Sequence, residues 1–380
     1  MNKNHNISLL CLVILLFITL YSCENRQNQA NNLSQSSNPA EYDKIEMKLG
    51  EKLYKVSLNY KVNNQSKSER EFVDIKTEHL FKIGGIQDTI FYYPTFVKSD
   101  NSGNIYVLDM ADCSVKKFNS KGVFIRKYGR KGRGPGEFLS PFRIDVSYNG
   151  NLLVLDPNLN KCELFEGEKV RQFILSSMPI GICLVDSKSF VTFQMLNPFD
   201  YSALTKYNIV NGNTSECQNL ILNTSENVNL GPLPFLSGDI YSVDNNSFLY
   251  VPEFMNHFVK YSYKGKIIYA CNTIDDIKLP SVQRDNANMV NFRLPKEYIS
   301  SWRAFIVNNK LYNVSYKATK KKASGIDYVI DAYSLSRGEY LHSFILPDME
   351  LMRNIYMDKE KMYLLKDNLE LEVLIYKIDE

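Results

Sequence analysis

A short turn rich in Asn and Asp, followed at once by an apolar strand, recurs six times in this chain. That recurrence limits the folds open to it. Asp100-Asn101-Ser102-Gly103-Asn104 precedes IYVLD, Asn149-Gly150-Asn151 precedes LLVLD, and Asp186-Ser187-Lys188-Ser189 precedes FVTF. Asp244-Asn245-Asn246-Ser247 precedes FLYV, Asn308-Asn309-Lys310 precedes LYNV, and Asp358-Lys359-Glu360-Lys361 precedes MYLL. The first apolar residues are Ile105, Leu152, Phe190, Phe248, Leu311 and Met362. They stand on average about 50 residues apart, a period that signals one stacked unit per repeat. Asn, Asp and Gly suit the turns because their side chains or their freedom at positive φ satisfy the tight backbone.

Each copy continues into a second strand ending on an aromatic residue: Phe118, Phe165, Tyr207, Tyr261, Tyr333 and Tyr376. A glycine turn follows in the first five, at Gly122, Gly167, Gly212, Gly265 and Gly338, and leads to a further strand. Another apolar strand precedes each Asx turn: TFVKS, FRIDVS, IGICLV, DIYSV, RAFIV and RNIYM. Four strands, a–b–c–d, thus make one unit. The 25 Tyr and 21 Phe suit strands, and no long stretch carries a helical period. Six four-stranded antiparallel units predict an all-β, six-bladed β-propeller over residues 71–380. The sixth unit stops after strand c. Residues 79–84, HLFKIG, read like the strand d of another unit, IRKYG at 125–129, and predict closure of the last blade by an N-terminal strand. Residues 42–70 alternate and read as extra strands outside the ring.

The N-terminus reads as a targeting segment. Lys3 and His5 give a weakly basic start, and Ile7–Leu20 is an apolar core too short for a membrane span. It ends in Leu20-Tyr21-Ser22-Cys23, which resembles a bacterial lipobox. The expectation is a signal peptide over residues 1–22, lipidation at Cys23, and a polar flexible tether over residues 23–41. Such a chain sits in the cell envelope, lipid-anchored to a bacterial membrane. Five cysteines remain beyond these segments, with no CxxC pair, so no disulfide framework or zinc site is indicated.

The joint between the first two units carries a family resemblance. Tyr128-Gly129-Arg130-Lys131-Gly132-Arg133-Gly134-Pro135-Gly136-Glu137-Phe138, then Pro141, then Asn149-Gly150-Asn151 and LLVLD, resembles an NHL repeat. The chain as a whole resembles the six-bladed β-propeller lipoproteins common in Bacteroidetes. The resemblance covers residues 70–380 and is specific in the first two blades. It implies a secreted, lipid-anchored propeller and brings no catalytic residues with it.

The functional signals are sparse. GRKGRGPGEF has enough glycine for a phosphate cradle, but a strand follows where a phosphate loop needs a helix N-terminus, so the loop reads as a blade connection. Asp109 and Asp156 end equivalent strands. They could pair as acid and base, yet their repetition favours hydrogen bonding to the b–c loop backbone. In an antiparallel blade the b–c and d–a loops leave on the same side. That places Arg130, Lys131 and Arg133 with Lys320, Lys321 and Lys322 on one face, with His257 of the loop PEFMNH near it. The expectation is a cationic rim for a glycan, small-molecule or protein ligand. No catalytic or metal-ligating set is apparent, and no cofactor is indicated. The alternative is a propeller enzyme, a lyase or lactonase-like hydrolase with a metal in its channel. The net charge of +3 and the export signal argue against nucleic acid.

Overall fold

The computed structural model describes residues 44–49, 52–194, 204–220, 237–244, 246–275, 277, 283–284, 290–291 and 299–379. The expected signal peptide, Cys23 and the whole of the tether lie outside the described residues. Six antiparallel sheets form six blades. The inner strands a are Pro94–Ser99, Arg143–Val146, Pro179–Asp186, Gly238–Asp244, Ser301–Val307 and Met352–Met357. The b strands are Ile105–Asp109, Leu152–Asp156, Ser189–Gln194, Ser247–Pro252, Lys310–Lys321 and Lys361–Lys366. These b strands are apolar on both sides because each blade is covered on both faces. Every residue of Ile105–Asp109 and Leu152–Asp156 is buried. Among the described residues, six hydrophobic clusters form, one at each blade interface. No blade can bury its faces alone, so the ring is the unit that folds.

The sixth blade closes as expected. Ile75–Gly84 takes its outer position, antiparallel to Glu370–Ile378, from Ile378↔Ile75 through Glu370↔Gly84. Upstream of this strand the chain runs along the rims of blades three to six. Lys44–Leu49 and Lys52–Ser57 form a hairpin. Asn59 N–H donates to the Leu220 carbonyl at 2.9 Å. Val62–Asn63 then adds as a parallel fifth strand to Ile267–Asn272 of blade four. Gln65 reaches both Asn272 and Gly338, at 2.5 and 2.9 Å. Phe72 bridges to Ser343 of blade five before the closing strand begins. This N-terminal belt fastens four blades together from outside. All five described cysteines are free and buried, where they behave as small hydrophobes.

Candidate functional site

Registers between strands a and b identify which side chains meet at the ring's axis. Opposite the second apolar residue of each b strand stand Lys98, Asp145, Cys183, Tyr241, Phe305 and Tyr356, one per blade. Two residues earlier, nearer the b–c/d–a end, stand Phe96, Arg143, Gly181, Asp239, Arg303 and Asn354. Side chains at alternate strand positions share a face, so each set forms a layer.

Contacts between non-adjacent blades place these layers on the axis. Arg143 of blade two donates to Asp239 of blade four at 2.9 Å. Gly181 on the intervening blade lies close against blade four, where a Cβ would fall 3.1 Å from the Gly238 carbonyl oxygen. The Lys98 ammonium, from blade one, lies 5.5 Å from the Tyr241 ring on the opposite blade and 5.2 Å from the Tyr356 ring. It also lies 3.5 Å from Asp145, whose carboxylate accepts from Leu184 N–H at 2.7 Å. The channel is therefore spanned by polar side chains at two levels.

Burial opposes these charges and neighbouring charges decide the outcome. Burial is the largest influence on the Lys98 ammonium and works against it, but Asp145, Tyr356, Cys183 and Asp239 together outweigh it and hold the pKa above the usual range. Burial likewise opposes the Asp239 carboxylate, while Arg143 and Arg303 hold its pKa below the usual range. Glu253, just after the b strand of blade four, is pushed up by burial, with Arg303 countering only in part. Burial and the like charge of Arg143 lower Arg303. Arg143 and Asp239 are committed to each other. Arg303 and Glu253 make no ion pair among the described residues.

The rim residues are placed separately. Arg130, Lys131 and Arg133 are exposed in the connection between blades one and two. Lys320–Lys322 belong to blade five, across the ring. Lys320 and Lys321 extend a strand, opposite Asp327 and Ile326, where a loop was expected. Lys322 pairs with Asp327, and Arg130 pairs with Glu137 at 2.9 Å. The structure places both groups at the b–c/d–a end without joining them into one cluster. The length of the d–a connections 222–236 and 271–301 suggests that they crowd this end; the first, and residues 276, 278–282, 285–289 and 292–298 of the second, lie outside the described residues.

His257 is not at the surface. It is 2% exposed, and its Nε2 shares a 2.8 Å hydrogen bond with Tyr60 Oη of the N-terminal belt. Burial lowers its pKa to about 3. The expected result is an imidazole that stays neutral from pH 8 to well below its ordinary pKa of about 6.5, readable from its ring-proton NMR shifts. A depressed folded-state pKa confers stability that is present above the unfolded value and lost as pH falls toward the folded one. His257→Gln should flatten that part of the stability–pH curve; an unchanged curve would refute the assignment.

The glycine loop binds its own anion. The Glu137 carboxylate accepts from the N–H groups of Arg133 and Gly134 at 3.0 and 2.9 Å. Gly132, at φ +157°, leaves room for it, since a Cβ there would fall 2.1 Å from Glu137 Oε2. The buried Lys161 ammonium donates to the Gly134 and Glu137 carbonyls at 3.1 and 2.6 Å. These groups leave no cradle for a phosphate. Asp109 and Asp156 are structural as well, but they hold the d–a loop more than the b–c loop. Asp109 accepts from Tyr92 and Tyr93 N–H, both at 2.8 Å, and Asp156 from Leu139 and Ser140 N–H at 2.6 and 3.1 Å.

Comparisons with known proteins agree with this architecture. Residues 51–229 match the family model described as DUF5128, 6-bladed beta-propeller. No curated protein matches the chain. A DUF4221-family protein from Bacteroides vulgatus superposes with TM-score 0.53 at 10% identity, covering 82% of this chain and 100% of that one. A Bacteroides fragilis protein named as exported gives 0.50 at 11%, covering 84% and 99%. Virginiamycin B lyase from Staphylococcus aureus gives 0.47 at 11%, covering 80% and 99%, and bears no weight on chemistry here. The chain is a six-bladed β-propeller similar to those of Bacteroides. Among the described residues, no helix is long and apolar enough to cross a membrane. No three His, Cys, Asp or Glu side chains among them are grouped to hold a metal ion.

Proposed function

We propose that this chain is an envelope-anchored binding module that takes a small polar ligand at the b–c/d–a mouth of its channel. The observation that carries this reading is the axial layer holding Arg143, Asp239 and Arg303, with Glu253 beside it. Charged side chains gathered on the axis of a β-rich ring, with one guanidinium uncommitted, are costly unless they serve a polar partner. Arg130, Lys131, Arg133 and Lys320–Lys322 lie farther out and act as a rim that draws in anionic ligands. Anchoring rests on the leader and Cys23, and export is also in the name of the Bacteroides fragilis protein. Cys23→Ser should abolish incorporation of labelled fatty acid in cells; undiminished labelling would rule the anchor out.

The binding test is a thermal-shift panel of sugars, amino acids and organic acids. The panel is run on the intact domain and on an Arg143→Gln/Asp239→Asn variant. That pair neutralises both partners at nearly constant volume. Ligand-induced shifts should be lost in the channel variant. They should largely persist when Arg130, Lys131 and Arg133, or Lys320–Lys322, are replaced by Glu. Hits that bind the channel variant as well as the wild type would show that the mouth is not the site.

A further inference from the structure

Two neighbouring groups in the upper channel layer hold hydrogen-bond donors that no described residue accepts. Arg303 Nε, on blade five, and Asn354 Nδ2, on blade six, are buried atoms without an acceptor among the described residues. Asn354 is 1% exposed, and it occupies the same register position as Arg143, Asp239 and Arg303. It shares a strand face with Tyr356, whose ring the Lys98 ammonium approaches on the axis. Among the described residues the Arg303 guanidinium makes one hydrogen bond, from Nη1 to the Trp302 carbonyl at 2.8 Å. Orphaned buried donors are rare in folded proteins, and each calls for an explanation. Two on adjacent blades, one of them cationic, ask for the same thing: an acceptor oxygen carrying negative charge.

The acceptors of the layer lie on the other side. Asp239 comes from blade four, and Glu253 follows the b strand of that blade. Asp239 Oδ1 is taken by Arg143, and its Oδ2 lies 3.4 Å from the Tyr241 hydroxyl, a weak contact. The Glu253 carboxylate has no protein donor among the described residues. Among the described residues the layer thus offers unused donors on blades five and six and unused acceptors on blade four.

We infer that the channel mouth takes a hydroxylated carboxylate, such as a sugar acid, with its carboxylate on Arg303 and Asn354 and its hydroxyls on Asp239 and Glu253. This rests on the binding reading above and names its ligand class. A simple anion such as phosphate would leave the acceptors unmatched and face two carboxylates. A neutral sugar would leave the guanidinium without its counter-charge.

The test is calorimetric titration with matched acid and neutral pairs: glucuronate against glucose, and galactonate against galactitol. The acids should bind at least about ten-fold tighter than their partners, the range expected for hydrogen bonds to a charged group. Asn354→Asp adds a like charge at constant size, and Arg303→Lys keeps the charge while removing Nε–H. Both should weaken the acids by about ten-fold or more and leave the neutral sugars within two-fold, with melting curves reporting that each variant is folded. If acid and neutral partner bind alike, and both weaken in the Arg143→Gln/Asp239→Asn protein, the carboxylate assignment is overturned while the binding reading stands. If no acid binds at millimolar concentration, ordered water satisfies the two donors and the inference is overturned.

Discussion

Replacing Arg70 with methionine is expected to lower the folding free energy by about 3–5 kcal/mol, the cost of leaving a buried charge without its partner. Arg70 enters from the N-terminal belt and is the partner of two buried carboxylates. Its Nε and Nη2 meet the two Asp331 oxygens at 2.8 and 2.9 Å, and Nη2 meets Asp275 at 2.6 Å. Asp331 is 0% and Asp275 4% exposed. The network continues through Ser315, whose Oγ donates to Asp275 at 2.6 Å, and Ser343, whose Oγ donates to Asp331 at 2.6 Å. Methionine keeps much of the volume, so the loss is electrostatic rather than a cavity. Burial already raises the Asp331 pKa above the usual carboxylate range, with Arg70 pulling it back. Without Arg70 it should rise further. A carboxyl whose folded-state pKa lies above its unfolded value binds a proton more readily when folded. The variant's deficit should therefore shrink as pH falls through that raised pKa. Chemical denaturation at pH 8 and pH 5 measures both effects. Adding Asp275→Asn and Asp331→Asn should recover most of the loss. A deficit under about 1 kcal/mol, the worth of a surface pair, or one that grows in acid, would mean that the belt is not held through this network.

The ring could be read from the chain because its determinants are local. Each blade announces itself with an Asx turn and a b strand apolar at nearly every position. The missing outer strand of the last blade pointed to a donor elsewhere. What decides the site is not local. The axial layer draws one residue from each of six strands about 50 residues apart. A strand pattern alone does not say which of its positions meet at the axis. A signal was present: Lys98, Arg143, Asp145, Asp239 and Arg303 are charged residues inside otherwise apolar inner strands. Aligning those strands by their b partners would have stacked them. The expectation that His257 lies near the binding face said nothing of its burial, because its partner, Tyr60, lies 197 residues away in the belt. The lysines of blade five read as a loop because they are polar. The pairing of Lys320 with Asp327 extends the hairpin instead. In the glycine loop, the glycines were rightly assigned to backbone conformation. The sequence did not show that Glu137 supplies the anion for the N–H groups they expose.

Removing residues 44–85 should abolish cooperative folding of the whole ring, not just of blade six. The closing strand Ile75–Gly84 supplies the outer edge of that blade. Its Ile83 is buried in the cluster between blades six and one, together with Leu371 and Val373. Without it, Glu370–Ile378 becomes an open edge, and the cluster that joins the last blade to the first loses its cover. Stability in such rings is carried by neighbour interfaces, so losing one opens a circle into an arc with two weak ends. The truncated chain should show a broad, low transition and bind dyes that report exposed apolar surface. The decisive comparison is a rearranged chain. Asp379 N–H donates to the Asp74 carbonyl at 3.0 Å, so the end of the last strand lies beside the start of the closing one. A chain running from residue 86 to Asp379, then through a two-residue turn into residues 74–85, would place the closing strand in a hairpin with its natural partner. Two-residue turns join antiparallel strands in this way. That chain should melt cooperatively, below the intact protein only by what the missing belt and Arg70 contribute. If the truncation melts like the intact protein, the strand does not close the ring. If the rearranged chain fails as completely as the truncation, the upstream belt, rather than the closing strand, holds the six blades together.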